Sequence, residues 1–217
     1  MKLTKFTHSC VRLESAAGAV VIDPGSFSEA GELKLALDGV EAVLVTHEHP
    51  DHLDVDTVSR LLGERSELRV WAPAPVAELL GEHRDRVTVV GGGETFEAGG
   101  LPVTAYGGQH ALIHPSIPMV PNVGYLVDQT VLHPGDSFVV PTEPVPTLLL
   151  ALHAPWSKIA EVLDHVVAVR SPVVHAIHDG LLNDRGRGLV EAHVDRVASA
   201  YGCRYEPLGV GHTASQT

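Results

Sequence analysis

Residues 46–52 of this chain read Thr46-His47-Glu48-His49-Pro50-Asp51-His52. Imidazole is the commonest metal ligand among side chains, and carboxylate is a hard oxygen donor that complements it. Two histidines at i and i+2, followed by an aspartate and a third histidine, follow directly on the apolar run 41–46. A rigid strand end there can aim the first two rings at one cation while Asp51 and His52 reach a neighbouring one. Two divalent ions so held would share a bridging hydroxide and polarise an attacked carbonyl or phosphoryl oxygen. Asp51 is the expected catalytic group, orienting that hydroxide or accepting its proton.

One loop does not complete two sites. Three more donors are expected at later strand ends, where sites on sheet scaffolds collect. His110 follows the run 101–106, Asp136 lies in His133-Pro134-Gly135-Asp136-Ser137, and His178 follows the run 173–177. Fourteen histidines make position decisive. His8 and His114 are read as substrate or supporting residues, and Asp179 as support for His178. His133, His153 and His175 are expected to pack, Trp156 likewise, and His83, His165, His193 and His212 receive no role.

The elements that must position these donors follow from periodicity. Strands are expected over 2–7, 10–14, 19–22, 41–46, 68–71, 86–90, 101–106, 123–127, 130–132, 147–152 and 173–177, with a hairpin around 95–97 and a last edge strand over 203–206. Helices are expected after Asp54 as N-cap, over 76–80, over 158–169 with Ile159, Val162, Leu163, Val166 and Val167 on one stripe, and over 189–201. Residues 26–40 read as a polar loop with one helical turn near 32–37. The segment GGQHALIHPSIPMVPN, 107–122, has no periodicity, and loops of that length in a folded domain are usually functional. The two halves share an order of elements without a residue-level repeat. One domain over 1–217 is expected, with two sheets face to face and helices outside.

Composition narrows the partners. Of 217 residues 44% are hydrophobic and 19% charged, enough apolar side chain for a core. The net charge of −12 repels phosphate backbones and anionic lipid, which counts against nucleic acid and membrane and leaves a small molecule as the expected partner. Two cysteines are no disulfide framework, and the opening MKLTKFTHSC has no apolar secretion segment, so a cytoplasmic location is expected. Oligomeric state is not legible.

The order D…HxHxDH…H…D…H resembles the metallo-β-lactamase superfamily, from Asp23 to His178. The resemblance implies a four-layer αββα sandwich. It implies one metal on His47, His49 and His110, a second on Asp51, His52 and His178, Asp136 bridging them, and Asp23 shaping the loop rather than binding metal. Zinc is the expected ion, with manganese or iron as alternatives. The opening Phe6-Thr7-His8-Ser9 is similar to a narrower branch, the small ascorbate-phosphate-lactonase-like hydrolases, which more often have glycine where this chain has Thr7. The implied activity is hydrolysis of a small ester-like bond, a lactone or phosphoester. The rivals are a diiron redox or oxygen-handling protein and a metal-binding domain without catalysis.

Overall fold

The computed structural model describes residues 1–216. Period-two alternation places the first strands. β1 (Lys2–Lys5), β2 (Val11–Glu14) and β3 (Ala19–Ile22) turn Leu3, Val11, Leu13, Val20 and Ile22 to one face, while Val21 points the other way. There follow α1 (Ala30–Ala36), β4 (Ala42–Leu44), α2 (Val55–Glu64), β5 (Arg69–Ala72), α3 (Ala74–Leu79) and β6 (Val87–Val89). The second half runs β7 (Thr95–Ala98), β8 (Leu101–Gly107), β9 (Val123–Val127), β10 (Val131–His133), β11 (Thr147–Ala151), α4 (Ile159–Val169), β12 (Val173–Ile177), α5 (Asp184–Ala200) and β13 (Arg204–Tyr205). The short strand β14 (Thr213–Ser215) returns to the first sheet.

Two seven-stranded sheets result, ordered β14-β1-β2-β3-β4-β5-β6 and β13-β12-β11-β10-β9-β8-β7. In each, one side is antiparallel and the other parallel, with the change at β3 in the first sheet and β10 in the second. The inner faces share a core in which Ile22 and Leu44 join Val103, Tyr125 and Leu149. Outside the first sheet, Leu33 of α1, Leu61 of α2 and Val76 of α3 cover Val21, Val43 and Val70. Outside the second, Val162 and Val166 of α4 and Val194 of α5 cover Leu148, Leu150 and Val174. This is the expected four-layer αββα sandwich. Each fully buried leucine or valine in these layers contributes ~1.5–3 kcal/mol over its exposed state.

The pairing also decides where chemistry collects. Along one sheet β1, β3 and β4 run in the same sense, and along the other so do β8, β10, β11 and β12. Their C-terminal ends therefore open on one edge of each sheet, and the two edges meet where Val123 N–H donates to Thr46 O (2.9 Å).

Several expectations shift. Asp54 caps α2 as expected, accepting from Thr57 N (2.8 Å). The loop over 26–40 holds a seven-residue helix rather than one turn. α5 starts at Asp184, five residues before the apolar pattern, because Asn183 accepts from Gly186 N (2.9 Å) and caps a first turn that buries little. On α4, Ile159 is exposed and His165 is buried instead, its Nε2–H donating to Val139 O (2.9 Å). β14 gave no sequence signal: it is a polar edge strand whose order comes from pairing with β1.

Candidate metal centre

The loop after β4 is shaped from beneath by Asp23, at the end of β3. Its Oδ1 accepts Thr46 N–H (2.7 Å) and its Oδ2 accepts the Thr46 hydroxyl (2.7 Å) and His52 Nδ1–H (2.6 Å). Thr46 Oγ1, its hydrogen already given to Asp23, accepts from His47 Nδ1 at 3.0 Å. One buried carboxylate thus fixes the rings of both His47 and His52. Gly25 lies against the same loop, and a Cβ there would come within 1.8 Å of Asp51 O, so no other residue fits.

The second sheet adds one donor per loop. His110 Nδ1–H donates to Ala111 O (2.5 Å) and His178 Nδ1–H to His153 O (2.7 Å). Asp136 sits in a turn whose Gly135 has φ +61°, with a missing Cβ position only 2.3 Å from Asn122 Oδ1. That Asn122 oxygen accepts Asp136 N–H (3.0 Å), and its amide donates to Pro134 O (3.0 Å). Trp156 Nε1–H donates to Asp136 Oδ2 (2.7 Å). Three of the residues involved, His8, Asp23 and His178, hold left-handed backbone at φ +64°, +50° and +55°. For residues with a Cβ this is costly and collects at functional sites.

These donors converge into two groups whose ligand atoms lie within 4.8 Å of one another. One holds His47, His49, His110 and Asp136, the other His8, Asp51, His52 and His178. Asp136 stands between them: Oδ1 is 3.1 Å from His52 Nε2, and Oδ2 is 3.1 Å from His178 Nε2 and 3.3 Å from His110 Nε2. Those approaches lack hydrogen-bond alignment. His52 Nε2, His110 Nε2, His178 Nε2 and Asp136 Oδ1 are all buried without a partner. Unpaired buried polar atoms cost on the order of 1–3 kcal/mol each, so four aimed at one place fit cations that would accept their lone pairs. His49 and Asp51 are half-buried and form the opening to solvent.

Burial and neighbouring charge set the protonation. Burial, reinforced by charge on His52, pushes His47 well below the usual histidine range, and burial also lowers His49. Burial opposes ionisation of Asp51 but is outweighed by the hydrogen bond from His8 and the charge on His52, which hold it down to about 2. His52 goes the other way: Asp136 and Asp23 outweigh its burial and raise it well above the usual value. Asp136 is held far below the carboxylate range by His52, His110 and His178 against the effect of burial. Neutral imidazoles and ionised carboxylates are the forms that bind metal, and a proton on His52 is one a cation would displace.

Residues 2–178 match the family model described as a beta-lactamase superfamily domain. The chain belongs to the metallo-β-lactamase superfamily. A protein of Mycobacterium tuberculosis, Rv0786c, is 38% identical over 194 residues, covering 87% of this chain and 89% of its own length. A UPF0173 metal-dependent hydrolase of Anoxybacillus flavithermus is 35% identical over 107 residues, 48% of this chain and 46% of that protein. Among solved structures, the metallo hydrolase Igni18 from Ignicoccus hospitalis superposes with a TM-score of 0.73 at 20% identity, over 98% of this chain and 97% of that one.

Within this superfamily chain, the donors named from sequence, His47, His49, Asp51, His52, His110, Asp136 and His178, all lie in the two groups. Asp23 lies beneath them as the loop's anchor. His8 joins the second group, its Nε2 3.1 Å from Asp51 Oδ2. Asp179 turns away from the centre into an ion pair with buried Lys5 (3.0 Å) and with Arg187 (2.5 Å). His114 lies exposed on the 107–122 loop, bonded to Ser116 Oγ (2.7 Å) and in neither group. Two contributors escaped sequence reasoning. Trp156, expected only to pack, bonds Asp136, and Asn122 at the loop's end builds the turn that carries Asp136. Neither has a local signal, because each acts across the sheet on a residue 14–20 positions away.

Proposed function

We infer that this enzyme is a dinuclear hydrolase of a small ester-like bond, with one cation on His47, His49 and His110, a second on Asp51, His52 and His178, and Asp136 between them. The observation that carries the reading is the set of four buried, partnerless atoms at the centre, Asp136 Oδ1 and the Nε2 atoms of His52, His110 and His178 around it. Bound divalent ions, zinc first by the nitrogen and oxygen donors, would supply a water nucleophile ionised near neutral pH and polarise the attacked oxygen. The chain's part is orientation. Asp23 and the carbonyls of Ala111 and His153 fix the ring faces, and Trp156 fixes Asp136. Asp51, ionised and half-open to solvent, is the group placed to take a proton at the mouth.

The substrate is a lactone or phosphoester. The loop over 111–121 carries no Asp, Glu, Lys or Arg and exposes Leu112, Ile117 and Met119, which favours the neutral lactone. Free, buried Cys10 and Cys203 accord with a reducing cytoplasm, and no helix among the described residues is long and apolar enough to cross a membrane.

His49→Ala and Asp136→Ala should each lower bound metal and abolish turnover of lactones or phosphodiesters in a substrate panel. Elemental analysis should give two ions per wild-type chain. Full activity in a metal-free His49→Ala/Asp136→Ala double variant would refute the reading. An iron-rich protein with visible absorbance and no turnover in that panel would favour the diiron rival.

A further inference from the structure

The histidines around Asp136 do not all face it with the same ring polarity. His52, His110 and His178 each turn Nδ1 to an oxygen: Asp23 Oδ2 at 2.6 Å, Ala111 O at 2.5 Å and His153 O at 2.7 Å. A carboxylate or carbonyl oxygen only accepts, so these rings are protonated at Nδ1 and turn Nε2 to the centre, where a bound cation would take its lone pair and displace the second proton of His52. His8 is reversed. Its Nδ1 faces Gly180 N–H at 3.2 Å, and a backbone N–H only donates. Nδ1 of His8 therefore carries no proton, and the ring's hydrogen sits on Nε2, 3.1 Å from Asp51 Oδ2. A nitrogen that holds a hydrogen has no lone pair to give a cation. Consistently, His8 Nε2 is not among the partnerless buried atoms, whereas the Nε2 atoms of the other three rings are.

The reversed polarity is held in place. His8 is fully buried at φ +64°, its carbonyl accepts His178 N–H (3.0 Å), and the Phe27 ring lies 4.8 Å away on the solvent side. Gly180 is held by its neighbour Asp179, whose carboxylate is clamped between Lys5 of β1 and Arg187 of α5. The ion pair that turns away from the centre thus fixes the N–H that fixes the His8 tautomer.

We propose that His8 is not a ligand but the positioning residue of the second metal site, donating Nε2–H to Asp51 Oδ2 so that this carboxylate keeps one orientation toward its cation. The inference rests on the two-metal reading above. Removing the donor should loosen only the second site, by the ~10–100-fold that supporting hydrogen bonds are worth to metal affinity.

Titration of the metal-free protein with zinc alone, against a chromophoric chelator, reads both sites. His8→Ala should weaken one class of site by that factor and leave the other unchanged. His8→Gln, whose amide N–H can occupy the place of Nε2–H, should restore binding to within a few-fold of wild type. Nitrogen-15 NMR of the wild-type histidine rings should show His8 protonated at Nε2 with and without zinc. A His8 ring protonated at Nδ1, or a His8→Gln loss as deep as that of His8→Ala, overturns the proposal. The ring measurement and the glutamine variant decide even if the alanine variant fails to fold. Failure of the two-metal reading would appear instead as fewer than two ions in the wild-type chain.

Discussion

The N-terminal sheet delivers its donors in one stretch, His47 to His52, whereas the C-terminal sheet delivers one at each of three strand ends, His110, Asp136 and His178. The two solutions are anchored differently. In the first, a single side chain, Asp23, orients the rings of both His47 and His52, through Thr46 and directly. In the second, each ring is oriented by a backbone carbonyl of its own loop or of the next. A concentrated motif shares one anchor and one point of failure; a dispersed set spreads that risk over several loops.

The comparison can be broken most forcefully at Asp23. Asp23→Asn keeps a residue that tolerates φ +50° but replaces one acceptor oxygen with a donor, beneath three donors that need acceptors. Stability should fall by ~1–3 kcal/mol in chemical denaturation, and metal affinity by ~10–100-fold at both sites together. Loss confined to one site would show that His47 and His52 do not share this anchor.

A change on the C-terminal side should be milder. Trp156→Phe removes the Nε1–H donor to Asp136 Oδ2 while retaining most of the ring's packing against Ala151 and Ala154. Zinc affinity should fall about 10-fold, at the lower end for a supporting contact, with stability within ~1 kcal/mol of wild type. An unchanged zinc titration would mean that Trp156 only packs.

The smallest effect at neutral pH is expected at His165, a buried histidine with no carboxylate facing it. Burial lowers it to about 4 despite the hydrogen bond to Val139 O. Its folded value is below its unfolded one, so the unfolded chain binds the extra proton first. The stability it gives as a neutral ring is complete above about pH 6.5 and is lost as pH falls toward 4, a swing of about 3 kcal/mol. Urea unfolding of chelated wild type and His165→Gln should differ in slope over that window, with the wild type steeper. Parallel pH profiles would contradict the assignment.

The same contrast explains how much was legible in the sequence. His47, His49, Asp51 and His52 announce themselves because their spacing is local and follows an apolar strand. His110, Asp136 and His178 are legible only as strand-end residues, and it is strand pairing that brings their loops to one edge. The polarity of His8 was not legible at all, since it depends on Gly180, 172 positions away. Trp156 and Asn122 were missed for the same reason. In the fold, alternation and apolar runs located the central strands, which are buried on both faces. The polar edge strand β14 and the first turn of α5 were invisible, because one is ordered by its partner strand and the other by the Asn183 cap.

Anomalous diffraction from crystals of the protein loaded with zinc alone bears most directly on the account. Two ions are predicted on opposite sides of Asp136, one against His47, His49 and His110, the other against Asp51, His52 and His178. A single ion at full loading, or an ion ligated by His8 Nε2, would contradict it.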